Sequence, residues 1–242
     1  MKENFMKEIE YLENKLLSVW YDENIFNVYV SENKIVFGSL GNEASIFSKI
    51  IEFKTLYDTL IDLNWKIQLS FSEAIKYSYS DAVYNNFSIT KSSKEEKLAY
   101  YNIENALFRT ITVWDILAQL YCIFYSVNIK KHDINYKRIF NHSKNEFSKD
   151  FYEKAKEINS YIEENSDTEL DEELKGNHKF LSDFRNQMIH RNAPSISTIS
   201  NFDFNIKSHP VYILKRAIED YVVAHKYVVE IIDEVLLQYK IK

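Results

Sequence analysis

Apolar residues recur every three or four positions along most of this chain, the spacing that gathers them on one face of a helix. Phe5, Ile9, Leu12, Leu16 and Val19 form such a stripe, so residues 1–20 are expected to be helical. Residues 42–77 continue the pattern, with room for one break. Between them, Val28-Tyr29-Val30 and Ile35-Val36-Phe37 flank Ser31-Glu32-Asn33-Lys34 and allow a small β-hairpin. The clearest helix starts at Ser92 or Ser93, because Glu95 and Glu96 stand three residues later, as a capping box requires. Its stripe is Leu107, Ile111, Trp114, Ala118, Tyr121 and Tyr125. After a basic stretch, 130–144, a helix is expected over 147–164. Another carries Phe180, Leu181, Phe184 and Met188 on one face and ends before Pro194. Residues 195–208 read as a loop. Pro210 then sits where a first helical turn tolerates proline. The last helix, 211–239, shows Leu214, Ile218, Tyr221, His225, Val228, Ile232 and Val235.

Composition sharpens this picture. The 242 residues include three glycines and two prolines, and none of these falls between Asn42 and Lys175. Tight turns depend on those residues, which argues against a sandwich or barrel and leaves no clustered glycines for a phosphate cradle. Helix is expected to exceed about 60% of the chain, twice the usual share. The expected fold is all-α: an antiparallel helical bundle over 92–242, with 1–91 as an N-terminal helical extension packed on it. Cys122, the single cysteine, excludes a disulfide framework or a cysteine-rich zinc site and reads as a core residue. The longest uncharged apolar stretch, Ile116–Ile129, is too short to span a bilayer, and the N-terminus lacks an apolar signal core. A cytoplasmic chain with no membrane partner is expected. The net charge of −6 means that any polyanion must meet a local basic patch.

Such a patch surrounds the most informative segment, Asp183-Phe184-Arg185-Asn186-Gln187-Met188-Ile189-His190-Arg191. Between Lys175 and Arg191 four bases (Lys175, Lys179, Arg185, Arg191) face one acid, with His178 and His190 in addition. Asn186 and His190, four apart, share a helix face beside Arg185. A histidine that exchanges a proton near neutral pH and an arginine that holds a phosphate are the minimum equipment for RNA cleavage by the 2′-hydroxyl. That chemistry requires no metal or cofactor. The plain alternative is a charged helix face ending in a histidine. Chance predicts roughly 0.01 occurrences of this arrangement in a chain of this composition.

At Arg185-Asn186-Gln187-Met188-Ile189-His190 the sequence resembles the HEPN superfamily, whose signature is Arg, four to six residues often beginning with Asn, then His. The stretch from Arg109 to Gln119 looks like the earlier core helix of bacterial HEPN proteins, which carries an acidic or amide residue facing the motif. Asp115 and Gln119 stand there on one face. The resemblance covers about residues 92–240. It implies a metal-independent endoribonuclease with Arg185 and His190 as catalytic residues, Asn186 positioning, and Asp115, Gln119, Arg191 and Arg109 in support. It further implies a homodimer sharing one cleft, RNA as substrate, and a role as a toxin or antiviral effector with an antitoxin or other regulatory protein as partner. Toxins silenced by a nucleotidyltransferase carry a tyrosine two residues after the histidine. Here that position is Asn192, which argues against that mode of control.

Several other features have bland readings. Asp115 could orient Arg185 or simply pair with Arg109 or a tyrosine hydroxyl. His225 reads as a hydrogen-bonded core histidine. Lys130, Lys131, His132, Lys137, Arg138, His142 and Lys144 read as a solvated connection more readily than as an RNA-guiding patch. The face of Trp114, Tyr121 and Tyr125 is a candidate dimer surface or core. The competing functional reading is a catalytically silent helical domain that binds RNA or a partner protein.

Overall fold

The computed structural model describes residues 2–26, 46–165, 173–190, 193–199 and 204–239, and it is 72% helical. The helices are α1 (Lys2–Leu17), α2 (Ile46–Ser78), α3 (Asp81–Tyr84), α4 (Lys94–Phe124), α5 (Tyr136–Ile139), α6 (Tyr152–Glu163), α7 (Asn177–His190) and α8 (Pro210–Tyr239). The all-α expectation holds. The sequence-predicted hairpin at 28–37 lies outside the described residues.

Helix α2 runs unbroken for 33 residues and packs along α4, which also lies against α8. Trp114, Ala118, Tyr121 and Leu107 of α4 are at most 1% exposed, as are Ile218, Tyr221, Val228 and Val235 of α8. Helix α1 packs on α2 and α8, where Gln68 Nε2 donates to the Leu16 and Val19 carbonyls at 2.8 and 3.1 Å. Leu12, Leu16, Phe53, Leu60 and Phe71 belong to the same buried cluster as the α4 and α8 stripes. The N-terminal helices therefore share one core with the bundle.

Helix α4 is long and apolar enough to cross a bilayer, yet 61% of its most apolar window is buried inside the fold. Its apolar character is that of a core helix. It starts on Ser93, whose hydroxyl accepts from the Glu96 amide at 3.0 Å. The Glu96 carboxylate departs from the expected reciprocal cap. It is buried and held by Lys207 and Ser92, tying the chain before α8 to the start of α4. The other end of α4 stops without glycine. Ser126 takes a left-handed φ of 53°, while the Val127 amide reaches the Cys122 carbonyl and the Ser126 amide reaches Ile123. This is the Schellman arrangement, with serine where glycine is usual.

Two further differences from the sequence reading are local. Residues 149–151 form a 3-10 turn, so α6 begins at Tyr152 and not at Phe147. Within 195–208, read as a loop, Thr198–Ile199 (β1) and Phe204–Asn205 (β2) pair antiparallel. Asn205 Nδ2 fastens that hairpin to the Ile196 carbonyl at 2.6 Å.

Candidate functional site

Helix α7 carries the candidate motif, and α8 fixes where α7 begins. Gly176, at φ 65°, turns the chain into α7. Glu219 of α8 then accepts from the Leu174 amide at 3.1 Å and from Asn177 Nδ2 at 2.9 Å. Arg216, buried on the same side of α8, donates to the Lys175 carbonyl at 3.3 Å and stacks over Phe180 and Tyr212. Next to them Asp220, 1% exposed, accepts from Trp114 Nε1 at 3.2 Å, Tyr161 Oη at 3.0 Å and His178 Nδ1 at 3.1 Å. His178 is thus a buried structural residue and not part of a surface basic island, which corrects the charge count made from the sequence.

The bonds continue outward. His178 Nε2 and the Tyr136 hydroxyl are hydrogen-bonded at 2.9 Å. Ser182 lies beside Tyr136 and lowers the pKa of its phenol, and Ser182 accepts from Lys137 Nζ at 2.7 Å. Lys137, Ser182, Tyr136, His178 and Asp220 thus lie in one series. Burial pushes the Tyr136 phenol well above its usual range, so it keeps its proton.

The series ends beside Arg185. Ser182 and Arg185 are one turn apart on the inner flank of α7, and Arg185 is half-buried. Asp115 faces it from α4, with Oδ1 accepting from the Tyr136 amide at 3.2 Å. Burial raises the Asp115 pKa, opposed by that amide and by the charge of Arg185. Asp115 is therefore bonded to Tyr136 and feels the charge of Arg185. Arg109 bonds its own helix, donating from Nη1 to the Asn105 carbonyl at 2.6 Å. Gln119 and Asn186 are half-buried, one turn beyond Asp115 and Ser182 respectively. His190 is the last residue of α7. Its side chain, like Arg191, lies outside the described residues.

The structure thus brings Asp115 and Arg185 together and leaves Arg109 apart. The basic stretch is exposed at Lys130, Lys131, His132, Lys137, Arg138 and Lys144, and of these Lys137 reaches the site through Ser182. The sequence reading did not place Lys137 or Ser182 at the site. Trp114 and Tyr121 are core residues, so the face named from the sequence is not a dimer surface. His225 is hydrogen-bonded as expected, its Nε2 at 2.9 Å from the Trp20 carbonyl, but it lines a cavity of about 280 Å³ with Tyr57 and Asp233. Among the described residues no group of three or more His, Cys, Asp or Glu is placed to hold a metal ion.

An acid with a raised pKa makes a checkable trade. Asp115 binds its proton more tightly in the folded chain than in the unfolded one, where carboxylates titrate near pH 3.9. Ionising it costs stability, and the cost grows as pH rises through the folded value. Asp115→Asn keeps an oxygen for the Tyr136 amide and removes that cost. Its melting temperature should match the wild type near pH 3.5 and exceed it at pH 7. An Asn variant equally or less stable at pH 7 would contradict the placement of this carboxylate.

The architecture defines an all-α protein whose candidate site gathers a carboxylate from α4, a lysine from α5 and an arginine from α7. No family model, curated protein or solved structure matches the chain.

Proposed function

We propose that this chain is a metal-independent endoribonuclease of HEPN type, acting in the cytoplasm as a toxin or antiviral effector. The observation that carries the reading is Arg185, half-buried on the helix that ends at His190, its Nε buried without a hydrogen-bond partner and its charge lowering the pKa of Asp115 on α4. A guanidinium whose buried Nε has no partner is open to an arriving phosphate and stabilises charge on the phosphoryl oxygens. His190 takes the 2′-hydroxyl proton, that oxygen attacks the adjacent phosphorus, and the 5′-oxygen leaves with a proton from an acid. Asn186 shares the His190 face and positions the substrate, with Gln119 and Arg191 in support.

One chain offers one such histidine, so the reaction wants a second group, and a two-fold axis beside α7 supplies it. Apolar surface suited to that axis lies in the segments around the end of α7: Ile189, Ile196, Phe204 and Ile206 are each about half exposed or more. The same residues favour the competing reading, a silent protein-interaction domain, in which they bind a different partner.

Dilution separates the two. Specific RNA-cleaving activity should fall as the protein is diluted through its dimer dissociation constant, in step with the mass seen by sedimentation. A fully active monomer would contradict the shared cleft, and a protein that cleaves no RNA at any concentration would support the silent domain.

A further inference from the structure

Lys137 has an unusual position for a lysine. Its side chain is exposed, yet its ammonium is held: it donates to the hydroxyl of buried Ser182 at 2.7 Å, where Lys154 and Lys207 meet carboxylates. Burial lowers its pKa, and the charge of Arg185 lowers it further. Lys179 acts in the same sense, while Glu163 and Asp183 oppose it from a distance at which neither forms an ion pair with Lys137 among the described residues. Two cations held close together on a rigid framework repel each other until an anion lies between or across them. The framework here is α7 itself, with buried Ser182 holding the Lys137 ammonium one turn from Arg185, beside the Tyr136–His178–Asp220 cluster.

Position along α7 says what that anion is. At 1.5 Å per residue, Ser182 lies about 4.5 Å before Arg185 on the helix axis, and His190 about 7.5 Å after it. Lys137 therefore stands on the side of Arg185 away from His190. We propose that Lys137 and Arg185 form a two-phosphate clamp on single-stranded RNA: Arg185 holds the scissile phosphodiester, and Lys137, positioned by Ser182, holds the neighbouring one. The clamp rests on the ribonuclease reading and adds to it a binding residue, a positioning residue and a direction for the strand along α7.

A residue holding a flanking phosphate acts on binding more than on chemistry. Lys137→Gln keeps a polar contact with Ser182 but loses the charge. It should raise KM for a mixed-sequence single-stranded RNA by about tenfold and leave kcat within about twofold. In the cleavage-inactive His190→Ala background, direct titration of the same RNA across a series of KCl concentrations should show the slope of log K against log salt reduced by roughly 0.7, one phosphate contact on a single strand. Lys137→Arg should restore the slope. Ser182→Ala should weaken binding several-fold with the slope retained, since the charge remains but is less well held. A purely structural lysine would lower the melting temperature of Lys137→Gln and leave the salt slope at its wild-type value, and that result would overturn the clamp. If Arg185→Ala and His190→Ala cleave like the wild type, the ribonuclease reading falls and the clamp with it. If both are inactive while Lys137→Gln keeps wild-type KM and slope, only the clamp falls.

Discussion

Replacing His190 by alanine should lower the rate of RNA cleavage by roughly 10²–10⁴, the usual contribution of a positioned general acid or base. Arg185→Ala should cost about 10²–10³, as expected when one preorganised cation is removed from a developing phosphoryl charge. Expression of the wild type should slow growth of a host cell and fragment its RNA, and each variant should relieve both effects. Neither variant is expected to unfold the chain, because His190 ends its helix and Arg185 lies on the flank of α7. The double variant should be little worse than the worse single one, since the two groups act on one phosphate and their effects are not additive. Equal toxicity of the wild type and both single variants would remove the catalytic assignment.

The largest stability effect should come from a residue that touches no substrate. Asp220→Ala removes the acceptor of three buried donors, Trp114 Nε1, Tyr161 Oη and His178 Nδ1, and frees helices α4, α6 and α7 from α8 together. Each donor left without a partner costs about 1–3 kcal/mol, so a loss of about 4 kcal/mol or more is expected from a total of roughly 5–15. With a urea slope of about 2–3 kcal/mol per molar, the unfolding midpoint should fall by roughly 1–2 M. Asp220→Asn retains one carbonyl oxygen and should lose less. A midpoint for Asp220→Ala within experimental error of the wild type would show that the network does not hold α7. Activity should fall together with stability in this variant, since the Tyr136–His178–Asp220 cluster lies beside Ser182, which holds Lys137.

How legible this was follows from the range of each interaction. The helices could be read because their signals are local. The Ser93 cap, the proline at the start of α8 and the apolar stripes of α4 and α8 all act within a few residues. The stripe of α8 was nonetheless half the story. Arg216, Glu219 and Asp220 lie off it, and the structure buries them because α7 and its approach cover that side. No periodicity distinguishes such residues from a solvated face. His178 and Asp220 are 42 residues apart, and Lys137 and Ser182 are 45, so nothing in either neighbourhood announces the partner. Arg185 and His190 were legible for the opposite reason: both stand on one short helix, within one motif. Asp115 was legible as a polar residue on an apolar face, but its partner, the Tyr136 amide, was not. The pairing at 198–205 escaped because two-residue strands are too short for alternation to register.

The central claim is that the chain cleaves RNA through its own side chains by attack of the 2′-hydroxyl. The termini of the products test it most directly. RNA incubated with the purified wild-type protein in excess EDTA should still be cut, giving fragments that end in a 2′,3′-cyclic phosphate or its hydrolysed form and begin with a 5′-hydroxyl. Cleavage that stops in EDTA and returns with a divalent ion, or fragments that end in a 3′-hydroxyl, would contradict the account.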